Sequence, residues 1–518
     1  MLVYRNRQFR ISKKHPLYGY CDTVTALCCN LENAVRFRQR QVLTAVKKDP
    51  SERTENENFI IDEITQAIPL MKKHYNTPSE KTYFYGYEFY NSLLSITDNP
   101  DYYAEGLPRQ SAQQSVKKCV RDLKGYFASL RSYGKDRSKF TGKPELPGYH
   151  RKGGHATAIL TNQDAVLKPY QKVRGGFAMK PLKEDRLWYK LKLPLTKLTL
   201  PAGELPKDAV VKEVKITPEN GTYVLNVALQ YNLPDVEVTE APGRIASIDV
   251  GVDNLMAVAN NCGLDHLLYK GGVAKSVNQL YNKKIAAIMS DQMPAADGKF
   301  VPTQAYYTVT NRRNDTLRDL FHKTAKHFID WCVDNRIDTI VMGKNPLWKQ
   351  DCDIKADSAK QNFVQLPFNT LREYIRYLSE AKGILYIEQE ESYTSKASFV
   401  DRDYIPVYGK DDEKASFSGI RGPKQYRRMH KKSGFRGIYQ TKDGSFLNSD
   451  LNGAANILRK AFPDVFQTEP DFEKVLIIKH PDFEKAASLK ERQLNKRASG
   501  TVSHAKAKRD RRKGIPAA

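Results

Sequence analysis

Three groups of acidic residues stand where strands and a helix should end or begin. Arg244-Ile-Ala-Ser-Ile-Asp-Val-Gly-Val-Asp-Asn254 reads as a strand ending in Asp249, a tight turn at Gly251, and a second strand over Leu255-Met-Ala-Val-Ala259. Glycine beside the acid leaves room for a backbone or a ligand. The second group is Glu388-Gln-Glu-Glu391, closing the apolar run that begins at Ile384. The third is Asp450, in Phe446-Leu-Asn-Ser-Asp-Leu-Asn-Gly-Ala-Ala-Asn456, where a helix should start. An aspartate there also has an ordinary use as an N-cap. Gly453, Ala454 and Ala455 would let that helix approach a sheet closely, so that Asp249 and Asp450 face one another. Carboxylates converging from separate elements suit phosphodiester hydrolysis by two Mg²⁺ ions held roughly 3.5–4 Å apart. Their hard oxygens are the ligands Mg²⁺ prefers. The ten histidines lie in no hydrolase triad context, and Gly271-Gly272 is too little for a phosphate-cradling loop.

The elements that must position these acids follow an order. After the strand pair come a third strand at His266-Leu-Leu-Tyr-Lys270 and a basic helix at 275–284. A second helix runs from about Asn311 to Asn335, with Leu317, Leu320, Phe321, Phe328 and Trp331 on one face. A buried strand, Ile337–Met342, ends in Gly343. Pro367 opens a helix carrying Leu371, Tyr374, Ile375 and Leu378; the strand from Ile384 to Glu391 follows. A long polar insertion and a last helix at 451–461 complete the series. Three antiparallel strands followed by alternating helices and strands is the order of an RNase H-like core, with helices on both faces of the sheet.

The first part of the chain reads differently. Leu2–Ile11 is a strand, and residues 17–130 are helical, broken at Asp49-Pro-Ser and Thr77-Pro-Ser. Val116, Val120, Leu123, Phe127 and Leu130 form the clearest apolar stripe, beside Lys117, Lys118, Arg121, Lys124 and Arg131. A linker rich in Gly, Pro and basic residues spans Gly134–Gly154. A β-rich segment to about residue 240 contains Pro-Glu-Asn-Gly between two strands, a strong hairpin signal. A small barrel or curled sheet fits, and the N-terminal strand would close it, making the helical block an insertion.

The chain has 518 residues and a formal charge of +25, a field that favours polyanions, chiefly nucleic acid. The 29 tyrosines, interleaved with Lys and Arg, suit base stacking beside phosphate contacts. The seven cysteines include no CxxC pair, which argues against a disulfide framework or a Cys-rich zinc site. No run is apolar enough to span a membrane and the N-terminus lacks a signal-peptide core, so the expectation is a cytoplasmic protein of a prokaryotic cell with no membrane partner.

The ordered motifs Ile248-Asp-Val-Gly-Val-Asp-Asn-Leu255, Tyr269–Lys283, Leu320-Phe-His-Lys323, Asn362-Phe-Val-Gln-Leu-Pro-Phe368, Glu390-Glu-Ser-Tyr-Thr-Ser-Lys-Ala-Ser-Phe399 and Asn448–Asn456 carry a resemblance. Over most of its length the sequence resembles the transposon-encoded TnpB family and the compact type V CRISPR effectors related to it. The resemblance implies an RNA-guided DNA endonuclease of multidomain α+β fold. Its RNase H-like (RuvC) nuclease core would take 243–395 and 448–462, its β-barrel wedge domain 1–12 and 150–242, and its inserted helical recognition domain 13–149. Residues 396–447 would be a zinc-free insertion that loads the target strand, and 463–518 a basic C-terminal tail. Implied partners are a guide RNA with a structured scaffold, target double-stranded DNA with a short flanking motif, and the RNA–DNA heteroduplex. Monomer and dimer both stay open.

Two departures from the family shape the site assignment. Most relatives carry the second acid at the end of the strand that here ends in Gly343. Some carry it on the following strand before the Tyr-Thr-Ser motif, which transfers the role to Glu391, with Glu390 as the alternate. Adjacent strand residues point to opposite faces, so one of the two should reach the metals. The expected catalytic and metal-binding set is therefore Asp249, Glu391 and Asp450, with two Mg²⁺ ions. Relatives also often carry two CxxC pairs where this chain has no cysteine, so no zinc is expected. Candidate nucleic-acid contacts are Lys117, Lys118, Arg121, Lys124, Lys275, Asn278, Lys283, His322, Lys323, Arg421, Arg427 and Arg436. Two rival readings keep the fold but change the activity: a non-cleaving guided binder acting as a repressor, and an RNase H-like transposase working without RNA.

Overall fold

The computed structural model describes residues 2–181, 184–233, 243–292, 300–344, 365–423, 437–466 and 470–482. The chain is a mixed α/β, multidomain protein that divides into two compact units, Met1–Pro234 and Asp235–Ala518.

The first unit opens with β1 (Leu2–Ile11), followed by α1 (Tyr18–Ala45), α2 (Glu55–Ala67), α3 (Tyr87–Ile96) and α4 (Arg109–Lys135). Eight strands follow: β2 (Ala158–Thr161), β3 (Val166–Pro169), β4 (Lys172–Arg174), β5 (Phe177–Met179), β6 (Arg186–Lys192), β7 (Thr199–Pro206), β8 (Val210–Glu219) and β9 (Thr222–Asn232). The hairpin signal is met at β8–β9. Its two-residue loop is Asn220-Gly221, both with positive φ (50° and 68°), as a twist-matched hairpin turn requires. The N-terminal strand does return to this region, pairing antiparallel with β9 along its whole length. Among the described residues the strands form a four-stranded sheet (β1-β9-β8-β2), a three-stranded sheet (β3-β6-β7) and the β4-β5 ribbon.

Two features of the helices differ from the sequence reading. The apolar stripe of α4 is buried at Val116, Val120 and Leu123 but only half-buried at Phe127 and Leu130, where Tyr83 and Phe84 cover Phe127 in part. And α1 buries a full charge. Glu32, 0% exposed, accepts from Lys118 Nζ at 2.8 and 2.7 Å, contacts His150 Nε2 at 2.7 Å, and faces Arg36 Nη2 at 3.5 Å. A buried carboxylate is tolerated when cations surround it in this way.

The second unit contains β10 (Ile245–Asp249), β11 (Asn254–Asn260), β12 (His266–Lys270), α5 (Gly272–Gln292), α6 (Gln304–Asp334), β13 (Thr339–Lys344), α7 (Phe368–Glu380) and β14 (Leu385–Glu390). After these come β15 (Ile420–Arg421), β16 (Ile438–Gln440), β17 (Phe446–Asn448), α8 (Ser449–Ala461) and β18 (Val475–Ile478). The six-stranded sheet runs β14-β13-β10-β11-β12-β18. Its first three strands in sequence are antiparallel, and β13 and β14 add parallel to β10, as crossovers through helices demand.

The sheet is covered on both faces, and the period-two alternation of its strands divides the cover. Ala246 and Ile248 of β10 and Ile340 and Met342 of β13 join Phe321 and Phe328 of α6 and Leu371 and Ile375 of α7. The intervening residues face α8: Ala257 and Ala259 pack against Leu451, Ala454 and Ala455, and Ile245 and Val341 against Ile457 and Leu458. Small side chains on both partners let α8 lie close enough for Ser247 Oγ to donate to the Ala454 carbonyl at 2.7 Å.

Two boundaries need correction. The insertion expected as a loop contains, in its described part, the three-stranded sheet β15-β16-β17. The segment assigned to a basic tail contributes β18, whose apolar run Val-Leu-Ile-Ile pairs parallel with β12. That short run could not be told from tail sequence by periodicity, since its partner lies far away in the chain. Among the described residues no helix is long and apolar enough to cross a membrane.

Candidate carboxylate site

Asp249, the last residue of β10, lies on the α8 face at the carboxyl end of the strand, where open α/β sheets place their ligands. Gly453 is the matching gap on α8: a Cβ there would stand 2.6 Å from Asp249 Oδ2. A side chain at 453 would therefore displace the carboxylate.

Asp450 occupies the first turn of α8 but does not cap it. Asn448 does so, its Oδ1 accepting from the backbone N–H groups of Asp450 (3.0 Å) and Leu451 (3.1 Å). The Asp450 carboxylate is left for other work. Its Oδ2 accepts from Asn254 Nδ2 at 2.8 Å, and Asn254 is itself fixed by Lys270 Nζ at 2.8 Å. Its Oδ1 accepts from Arg421 Nη2 at 2.8 Å.

The two neighbouring glutamates separate cleanly. Glu390 Oε2 accepts from the almost buried Lys460 Nζ at 2.7 Å, and its Oε1 from the Ser392 backbone N–H at 2.6 Å. Burial works to raise its pKa, but Lys460 and the Ser392 bonds outweigh burial and hold the carboxyl below the usual range. Glu391 points the other way. Its Oε2 is buried without a hydrogen-bond partner among the described residues. Burial pushes this carboxyl up to about 7, against the pull of Arg372. Asp249 is raised well above the ordinary range too, by burial first and then by the charges of Glu391 and Asp450.

Gly343 explains its own lack of an acid. A Cβ at this position would lie 2.4 Å from Glu391 Oε2 and 2.7 Å from Ile457 Cδ1. The space beside Asp249 at the end of β13 is filled from the neighbouring strand. Arg372 of α7 ties this corner together, donating from Nη2 to the Gly343 carbonyl at 2.9 Å.

Asp249 thus lies within electrostatic reach of both Glu391 and Asp450, while Glu390 is turned to Lys460; among the described residues no three acids stand close enough together to hold a metal. Arg372, Lys460 and Asn254 take part and were not among the expected residues. Asn254 lies inside the opening motif, whereas Arg372 and Lys460 carried no sequence signal, because their partners are distant in the chain.

The expected nucleic-acid contacts divide. Arg121, Lys124 and Lys283 are exposed. Lys117 is exposed with its Nζ 4.7 Å from the Tyr87 ring centre, and His322 rests edge-on against Tyr374. Lys118 is committed to Glu32, Lys275 to Asp253, and Lys323 to Asp319 and Asp482 at 2.8 Å each. Asn278 is 1% exposed and accepts from Arg313 Nε at 2.8 Å, so it serves the packing of α5 on α6 and offers no surface to a partner. Arg421 holds Asp450. Arg427 and Arg436 lie outside the described residues.

Residues 228–348, which include Asp249, match the family OrfB_IS605, described as "Probable transposase". Comparison with curated proteins gave no match. Among solved structures, the chain aligns with a Cas12f1–sgRNA–target DNA complex at 15% identity and a TM-score of 0.30, covering 88% of this chain and 98% of that one. It aligns with a CRISPR-Cas12f ternary complex at 14% and 0.31, covering 83% and 81%. It aligns with Alicyclobacillus acidoterrestris C2c1 bound to single-guide RNA at 9% and 0.39, covering 88% of each.

Proposed function

We propose that this protein is an RNA-guided DNA endonuclease, with Asp249, Glu391 and Asp450 holding Mg²⁺ at an RNase H-like (RuvC) site. The observation that carries the reading is the unbalanced site itself: carboxylates enclosed at the strand ends, two with raised pKa, one with an orphaned oxygen. Such an arrangement is unfavourable unless a cation is bound there. The sheet order and the family match over 228–348 support the core assignment, and the charge of +25 supports polyanion partners. On this reading the first unit combines wedge and recognition functions and grips the guide scaffold and heteroduplex. The sheet of the insertion guides the strand to be cut.

The donor set fits a hard divalent cation: all oxygens, of like charge, converging from separate elements. No three such groups among the described residues stand in ready ligating geometry. Both Asp450 oxygens accept side-chain hydrogen bonds, so ligation through Oδ1 would require Arg421 to yield it. Bound Mg²⁺ would polarise the phosphoryl oxygen and supply a water nucleophile at neutral pH. The chain's own groups do the rest. Asn254 fixes the orientation of Asp450, Arg372 favours the charged form of Glu391, and Gly343 and Gly453 keep the space around both acids clear. Arg421, once released from Asp450, is a ready partner for a phosphate oxygen.

The test uses protein purified with its bound RNA and a DNA duplex complementary to that RNA. Asp249→Asn and Glu391→Gln should each cut cleavage by roughly a thousandfold, the loss of several kcal/mol of charge stabilisation, with guided binding intact. Glu390→Gln should keep most activity. Cleavage by Asp249→Asn at the wild-type rate, or protein that carries no RNA, would sink the reading. Guided binding without cleavage by the wild type would instead identify the repressor.

A further inference from the structure

The helix α4 buries no side chain after Leu123, yet it continues as regular helix to Lys135. A helix end that buries no side chain fully is expected to be largely polar. This one carries Tyr126, Phe127, Leu130 and Tyr133 among Lys124, Arg131 and Lys135. Phe127 lies edge-on to Phe84, with ring centres 5.4 Å apart, and is tilted against Tyr83 at 6.3 Å. Tyr83, Phe84 and Phe127, with Leu130, Lys124 and Arg131, line an open cleft of about 740 Å³. Phe84 is 44% exposed at its mouth.

We propose that this cleft binds single-stranded nucleic acid, taking an unpaired nucleobase against Phe84 and Phe127 while Lys124 and Arg131 meet the flanking phosphates. Two observations select this occupant. The rings are grouped and half-open, so they offer faces and edges to a further flat ring. The cations at the rim, extended along the helix by Arg121 and Lys135 against the single acid Asp122, demand a polyanion. A second copy of this chain would cover the rings but set like charges against each other. A duplex would satisfy the charge, but its base faces are hidden in the stack. A single strand satisfies both.

The inference rests on the guided-nuclease reading, and the experiment separates the two. Full-length protein stripped of nucleic acid is titrated with a short single-stranded RNA carrying 2-aminopurine, with the same sequence as DNA, and with the RNA as a duplex. Wild-type protein should quench the 2-aminopurine of at least one single strand, and which strand responds identifies the source as guide or displaced DNA. Phe84→Ala should abolish the quench and weaken single-strand binding roughly five- to a hundredfold, the range for one stacked base. Duplex binding should stay unchanged, and Phe84→Trp should restore the quench. Because Phe84 is exposed, its loss leaves the core intact, and an unchanged thermal melt verifies this. Single-strand binding and quench that are indifferent to Phe84→Ala overturn the cleft alone. So does a wild-type dimer in sedimentation that Phe84→Ala dissociates with RNA binding unaffected. Stripped wild-type protein that binds no RNA of any form overturns the guided reading itself.

Discussion

Glu32 in the first unit and Glu391 in the second are both enclosed glutamates, and the chain treats them in opposite ways. Around Glu32 it gathers Lys118, His150 and Arg36, so that each oxygen is met. Around Glu391 it leaves Oε2 with no donor among the described residues and sets Asp249 alongside. Of the cations in that neighbourhood, Lys460 is paired with Glu390 and Arg421 with Asp450, while Arg372 bonds the Gly343 carbonyl and favours the charged form of Glu391 without a hydrogen bond to Oε2. A buried carboxylate with its cations supplied is architecture. A half-buried carboxylate with an unmet oxygen is what the proposed cation site would call for. The distinction rests on where hydrogen bonds go, and burial alone would not make it.

The largest effect expected from this contrast is on stability. Glu32→Ala strands two cations in the interior of the helical block and should cost about 3–5 kcal/mol, measured by urea unfolding. The same change at Glu391 should leave the metal-free protein within about 1 kcal/mol of wild type, since Oε2 has no hydrogen bond to lose. Equal losses at the two positions would erase the comparison.

A third device for enclosing a titratable group is to keep it neutral, and His266 on β12 uses it. It is 2% exposed, its Nε2 has no partner among the described residues, and its ring lies 5.3 Å from that of Phe472. Burial lowers its pKa to about 4, although Asp471 and Asp265 pull upward. A depressed folded pKa means that its stabilising contribution is complete above the unfolded value of about 6.5 and is lost as pH falls toward 4. The wild type should therefore lose roughly 3 kcal/mol more than His266→Phe across that interval, read as the difference between two series of denaturation curves. Parallel curves would show that the ring protonates without penalty.

The smallest effect sharpens the local geometry. Gly343→Ala drives a methyl group into the space of Glu391 Oε2 and Ile457. It should destabilise by about 1–3 kcal/mol, the usual range for overpacking. It should also lower cleavage by displacing Glu391, whereas Gly272→Ala, which meets nothing within 4 Å, should do neither. A fully active Gly343→Ala protein would remove Glu391 from the site.

Much of this was legible because the informative signals are local. The Asn220-Gly221 turn, the strand ending in Asp249 and the small face of α8 each follow from a few adjacent residues. So does the exclusion of one glutamate, since neighbouring strand positions diverge. The unread parts depend on pairs far apart in sequence. Glu32 meets Lys118 across 86 positions and Glu390 meets Lys460 across 70, and β12 meets β18 at still longer range. Surface lysines carry the same letter whether solvated or committed, which is why Lys118, Lys275 and Lys323 looked available and are ion-paired. Asn278 misled for the converse reason: its polarity serves a buried contact with Arg313.

The long-range pairing of β18 bears on how the protein comes into being. A ribosome delivers β10, β11 and β12 well before it delivers Asp450 or the strand that covers the edge of β12. Through that interval the sheet presents an open ladder of backbone donors and acceptors, of the kind that invites pairing with other chains. The carboxylate cluster meanwhile lacks its third member. Asp450 and the strand that closes the sheet edge thus follow one another closely in the chain, well after the strands they complete.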